Sequence, residues 1–174
     1  MIFKVYCGTY GKYNDGNLFG GWLDLSDFVS YDVFLEACKE LHKDESDPEF
    51  MFQDVEQESE FFDGEPSLSE IRKWYELWEE CRSEDEFIIT CDYIHAYSYS
   101  LSSDTVMWGL HRDANNRVCC EVDGWDDYVW NLIDEYLCSI GAKDFNLSYF
   151  DFDAYKRDLE YDVTFGNEYV FFDR

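Results

Sequence analysis

Two short runs near the start of the chain, Phe3–Cys7 and Leu18–Leu25, carry the apolar patterning of strands, separated by a Gly8–Gly16 loop rich in Gly, Tyr and Asn. Ser30 stands where a helix would be capped, and Phe34, Ala37, Cys38 and Leu41 follow it at i, i+3, i+4, i+7 spacing. Phe50–Val55 reads as a third strand. Three strands and a helix make a small α+β unit.

Asp63-Gly64-Glu65-Pro66 is a turn followed by a helix start, and marks a boundary after residue 65. Ser67-Leu68-Ser69-Glu70 is a capping box, and Leu68, Ile71, Trp74, Trp78 and Cys81 form the apolar stripe of the helix it opens. Ser83-Glu84-Asp85-Glu86 is a second capping box, so Phe87–Ala96 is expected to be helical although Phe87-Ile88-Ile89-Thr90 alone suits a strand equally. A third helix is expected to start at Ser103-Asp104, with Val106, Met107 and Leu110 on its apolar side.

Asn115-Asn116 reads as a turn, and Arg117–Asp123 has strand composition. The clearest helix follows: Val129, Leu132, Ile133, Tyr136, Leu137 and Ile140 share one face, and Gly141 closes it. Asp151 caps a short helix running through Leu159, and Glu168–Phe172 is a last strand. The fold class is α+β, in three parts: an α+β unit over residues 1–65, a helical middle over 66–112 and a second α+β unit over 113–174.

Charge changes the picture. The 174 residues carry a formal net charge of -27, with 6 Trp, 14 Tyr and 15 Phe. A disordered acidic tail lacks the apolar surface that offsets the entropy of ordering, and so contains few aromatics. This chain has enough for a core, and self-repulsion on that scale opposes compactness without deciding the fold. Asp44, Glu45, Asp47, Glu49, Asp54, Glu56, Glu58, Glu60, Asp63 and Glu65 are ten carboxylates in a stretch with no Lys or Arg. Glu76, Glu79 and Glu80 follow in the middle part, and Asp126, Asp127, Asp134 and Glu135 on the late helix.

A charge run is ordinarily a solvated face. Total density favours a further reading, because duplex DNA carries one charge per ~1.7 Å of axis and 27 charges match about 14 base pairs. Such a surface suits a protein groove built to hold a polyanion.

Other chemistry has little support. His42, His95 and His111 are scattered, with no H-x-x-x-H or H-E-x-x-H pattern. Asp92 and His95, three apart, could form a dyad, but a surface or capping pair is the stronger expectation. No G-x-S-x-G, G-x-x-x-x-G-K or G-x-G-x-x-G occurs, so no enzyme class, cofactor or metal is indicated. Asp54–Glu65 and Asp151–Asp162 lack the glycine and alternating ligands of an EF-hand. Seven cysteines without a C-x-x-C read as reduced core residues. No run approaches ~18 apolar residues and no signal peptide is evident, so the expectation is a soluble cytoplasmic protein.

Gly8-Thr9-Tyr10-Gly11-Lys12-Tyr13-Asn14-Asp15-Gly16 followed by Gly20-Gly21-Trp22-Leu23-Asp24-Leu25 resembles the opening of the ArdA antirestriction family. Asp47-Pro48-Glu49-Phe50-Met51-Phe52-Gln53-Asp54 is similar to that family's next recurring element, and Tyr149-Phe150-Asp151-Phe152-Asp153-Ala154-Tyr155-Lys156-Arg157-Asp158-Leu159 to its closing segment. Phe87–Asp123 matches poorly. The resemblance implies an elongated DNA mimic that occupies the DNA-binding groove of type I restriction–modification enzymes, formed by their modification and specificity subunits. It also implies pairing of two copies through the C-terminal unit, carriage on mobile genetic elements, and no direct nucleic-acid or membrane binding. The two readings left open beside it are an acidic module for basic proteins and a calcium-binding domain.

Overall fold

The computed structural model describes residues 2–101, 107–142 and 146–173. It is α+β, with two three-stranded antiparallel sheets. In the first, β1 (Phe3–Thr9) lies between β2 (Gly21–Asp24) and β3 (Phe50–Gln57). Alternation along β1 sends Phe3, Val5 and Cys7 inward and leaves Lys4 and Tyr6 on the outer face.

The expected Gly8–Gly16 loop contains a short helix, α1 (Tyr10–Asn14). Thr9 Oγ1 starts it by accepting from the Lys12 N–H at 3.3 Å. The second strand is shorter than its sequence pattern, because residues 18–20 turn back over β1: Tyr6 Oη donates to the Leu18 carbonyl at 3.1 Å. Ser30 caps α2 (Tyr31–Leu41) as expected, accepting from the Val33 N–H.

Ser67 and Glu70 form the reciprocal capping box of α3 (Leu68–Glu80). At α4 (Glu84–Ala96) the box is displaced: Ser83 Oγ accepts from the Glu86 N–H, whereas the Glu86 carboxylate accepts from the Arg82 N–H. The Phe87–Thr90 run is therefore helical. Phe3, Trp74, Trp78, Phe61 and Phe87 meet with ring centroids 5.3–6.2 Å apart, joining the first sheet to α3 and α4 in one core.

The expected helix start at Ser103-Asp104, with Val106, lies outside the described residues. Asn115-Asn116 is not a turn. Both residues lie in α5 (Leu110–Arg117), whose buried Leu110 and Ala114 pack into the same core and override the weak helix preference of two asparagines. Strand β4 is confined to Val118–Glu121, and Val122–Gly124 forms a 3₁₀ turn into α6 (Trp125–Ser139).

On α6, Val129 and Ile133 are buried, but Tyr136 and Ile140, expected on the same buried face, are exposed. Leu137 still packs on the smaller C-terminal core, so Tyr136 falls outside the buried stripe and Ile140 lies just past the helix end. Gly141, at φ +74°, closes it as expected. Asp151 caps α7 (Phe152–Leu159), and β5 (Val163–Phe165), not anticipated from sequence, pairs with β6 (Tyr169–Phe172). Successive residues of β6 serve two cores: Phe171 joins the large one, and Val170 packs with Trp125, Val129, Ile133 and Val163.

Candidate functional site

The carboxylates singled out from sequence fall on several elements. Asp44, Glu45, Asp47 and Glu49 occupy the connection from α2 to β3, and Asp54 and Glu56 alternate along β3 toward Glu58. Carboxylates two apart on a strand repeat at about 6.8 Å on one face. β3 is an edge strand of its sheet, so this row borders solvent. Glu60, Asp63 and Glu65 continue on the loop to α3, where Gly64 takes φ +89°. Glu76, Glu79 and Glu80 end α3, whereas Asp126 and Asp127 sit in the first turn of α6 and are favoured there by its dipole. Asp134 and Glu135 lie farther along α6, exposed.

Hydrogen bonds and ion pairs divide these groups. Asp44 and Glu45 are engaged internally by Lys12, which is itself buried: its Nζ lies 2.7 Å from Asp44 Oδ1 and 3.3 Å from Glu45 Oε1. Thr9 Oγ1 also donates to Glu45 at 2.8 Å. Desolvation pulls the Lys12 ammonium down, but the hydrogen bonds with Asp44 and Glu45 outweigh it and hold its pKa above the ordinary value. The hydrogen bond from Lys12 keeps Asp44 below its ordinary value.

The fully buried His42 completes this cluster. Its Nε2 faces the Cys7 carbonyl at 3.2 Å and its Nδ1 faces Lys12 Nζ at 3.1 Å. A carbonyl can accept only and an ammonium can donate only, which fixes the Nε2–H tautomer. The Phe19 ring lies 4.5 Å from Lys12 Nζ.

Several others have local partners. Glu56 pairs with Lys4 at 3.1 Å and Glu76 with Lys73 at 2.9 Å, and Asp126 pairs with Lys156. Glu58 accepts from the Ile2 N–H. Glu80 accepts from the Gly109 N–H at 3.0 Å and faces His111 Nδ1 at 3.1 Å, tying the end of α3 to the start of α5. Glu60 meets His95 at 3.4 Å and accepts from Asn167 Nδ2 at 3.0 Å. Among the described residues, Asp47, Glu49, Asp54, Asp63, Glu65, Glu79, Asp127, Asp134 and Glu135 have no cation within ion-pair distance, and all are exposed.

Asp92, expected to form a surface or capping pair with His95, is instead buried: it is 2% exposed, and its carboxylate accepts from the backbone N–H groups of Asn167 (2.7 Å), Glu168 (3.2 Å) and Tyr169 (2.8 Å). Its partners are the β5–β6 turn, while His95 turns to Glu60. Burial, and after it the neighbouring Asp92 carboxylate, push Glu168 above its ordinary value.

Among the described residues no group of three or more His, Cys, Asp or Glu is placed to hold a metal ion. Asp54–Gln57 is strand and Asp151 caps α7, so neither acidic segment is the continuous loop of an EF-hand. The cysteines are free thiols. Cys7, Cys38 and Cys91 are buried, but Cys138 is exposed, against the expectation of core cysteines throughout. Burial pushes the half-buried Cys81 and Cys119 up to about 12 and about 11. None of the described helices is long and apolar enough to cross a membrane.

The arrangement offers carboxylates distributed over a folded surface rather than a converging pair. The sequence profile of the antirestriction protein (ArdA) family matches residues 5–171. No curated protein and no solved structure matches the chain.

Proposed function

Because this chain belongs to the ArdA antirestriction family, we propose that it inhibits type I restriction–modification enzymes by taking the place of DNA in their binding groove. The family is one of inhibitors, not of enzymes. The observation that carries the mechanism is the set of exposed carboxylates that have no counter-cation among the described residues: Asp47, Glu49, Asp54, Asp63 and Glu65 near the first sheet, Glu79 on α3, and Asp127, Asp134 and Glu135 on α6.

These groups meet the Lys and Arg side chains that otherwise contact phosphates. Phosphate contacts drive affinity through counterion release and carry little sequence information, so the inhibitor acts on enzymes with different recognition sequences. A folded scaffold holds the carboxylates in place before binding, which lowers the ordering cost. Asp44 and Glu45 belong to the Lys12 cluster and contribute to the fold more than to the target.

We assign the work to three units, which the sequence divides at 1–65, 66–112 and 113–174, with α5 crossing the second boundary and staying whole with the middle unit; the last unit pairs two copies into a cytoplasmic homodimer encoded on a mobile element. Tyr136 and Ile140, exposed at the end of α6, support that pairing. The protein itself binds neither nucleic acid nor membrane. Co-expression with a type I restriction system tests the activity: plating of unmodified phage rises if the reading holds, and stays at the restricted level if it does not.

A further inference from the structure

The outer face of the first sheet carries a feature that charge mimicry does not use. Residues 17–23, Asn-Leu-Phe-Gly-Gly-Trp-Leu, contain no charged side chain, in a chain of net charge -27. Leu18 is 67% exposed and Trp22 50%. Phe19, between them, has a structural use, packing on Lys12 and edge-on to His42. Leu18 and Trp22 belong to neither apolar core.

The backbone that presents Leu18 is held firmly. The Asn17 N–H donates to the Lys12 carbonyl at 2.9 Å, Asn17 Oδ1 accepts from the Phe19 N–H at 3.0 Å, and the Leu18 carbonyl accepts from Tyr6 Oη. Gly20 passes so close to the Cys7 carbonyl and the Tyr6 ring that a Cβ would overlap both. Trp22 lies opposite Tyr6 in the β1–β2 pairing, with the rings edge-to-face at 5.6 Å. The main chain is fixed while the apolar side chain of Leu18 is displayed to water.

The surroundings are acidic. Asp15 and Asp24 flank the uncharged run, and across the sheet Asp24, Lys4 and Glu56 stand in one row. Lys4 already pairs with Glu56, leaving the rim net negative. An apolar centre inside an acidic rim complements a protein surface with an apolar centre and a Lys/Arg rim.

We propose that Leu18 and Trp22, with Tyr6 beneath them, form an apolar docking point for a Lys/Arg-bordered protein segment of the inhibited enzyme. This rests on the antirestriction reading and adds a contact that DNA cannot make. Affinity then has two separable parts: carboxylates set how steeply binding falls with salt, and the apolar point sets how tight it is at any one salt concentration.

The test measures equilibrium binding of the full chain to a DNA-free type I modification enzyme at several salt concentrations. The variants are Leu18→Ala and Leu18→Ala/Trp22→Ala, with thermal unfolding and sedimentation as controls. The double variant is expected to bind about 10–100-fold more weakly, the single variant about 3–10-fold, with lines of log K against log salt parallel to the wild type. Leu18→Ala removes an exposed side chain and keeps the carbonyl that Tyr6 uses, so it answers the question even if the double variant unfolds. Wild-type binding with an equally tight Leu18→Ala variant overturns the docking point alone. A shift toward monomer on substitution overturns it in favour of a second copy of the chain as occupant. A wild type that does not bind overturns the antirestriction reading, and the docking point with it.

Discussion

The Asp92 carboxylate fills the space that a side chain on Gly166 would need. α4 thereby reaches into the β5–β6 turn and collects its three N–H groups. Asn167 from that turn reaches on to Glu60, so the 60–65 loop, α4 and the last hairpin meet at one place.

Breaking this junction destabilises the protein by two routes that share a cause. Gly166→Ala is expected to cost about 1–3 kcal/mol by overpacking. Asp92→Ala leaves backbone donors unpartnered and costs about 2–3 kcal/mol. In the Asp92→Ala background the added methyl meets no carboxylate, so the two penalties fall short of additive. Urea denaturation of both single variants and the double variant measures this. Strict additivity would contradict the contact.

The Lys12 cluster gives a pH dependence of definite sign. Asp44, with its folded pKa depressed, adds stability above the unfolded carboxylate pKa near 4, and that stability is lost as pH falls through the lower folded value. Lys12, with its folded pKa raised, contributes below its unfolded value near 10.5 and ceases to as pH rises through the higher folded one. Lys12→Met should be less stable than wild type at pH 7, and the gap should narrow below about pH 4. Parallel stability curves from pH 7 to pH 2 would show that the pair contributes nothing.

Carboxylate substitutions should sort by environment. Neutralising Asp47, Glu49 or Asp54 singly to Asn or Gln is expected to change inhibition by less than about threefold, because each gives one screened contact. Combining Asp47, Glu49, Asp54, Asp63 and Glu65 should weaken inhibition progressively and flatten the salt dependence. Asp44→Asn and Glu45→Gln should show first in thermal unfolding. One exposed carboxylate whose loss abolishes inhibition in a folded protein would point to a discrete site.

How far these distinctions were legible in the sequence depended on whether the cause was local. Ser30, Ser67 and Ser83 each cap the helix their spacing announces, because a cap acts within three residues. α1 was hidden by the glycine and asparagine around it, although Thr9 was its visible start signal. α5 depended on Leu110 and Ala114 reaching a distant core, which no local pattern reveals. The acidic residues were plain from the sequence, but their division was not. Lys12 meets Asp44 across 32 residues and Asp92 meets Asn167 across 75, so neither pairing has a local signature.

The end of α6 tests the proposed homodimer. Tyr136 is 62% exposed and Ile140 57%, so charge there costs the monomer little. Tyr136→Lys/Ile140→Lys should preserve thermal stability of the monomer and move sedimentation at micromolar concentration from dimer toward monomer. A variant that remains dimeric would move the interface elsewhere.

The central claim is that the protein occupies the place of DNA, and competition on the target tests it most directly. A type I modification enzyme holding a labelled duplex with its recognition sequence is titrated with the protein, and bound duplex is followed by fluorescence anisotropy alongside native mass measurement of the complexes. Displacement of the duplex, with no species containing enzyme, duplex and inhibitor together, is the predicted result. A stable ternary complex that retains the duplex would contradict the account.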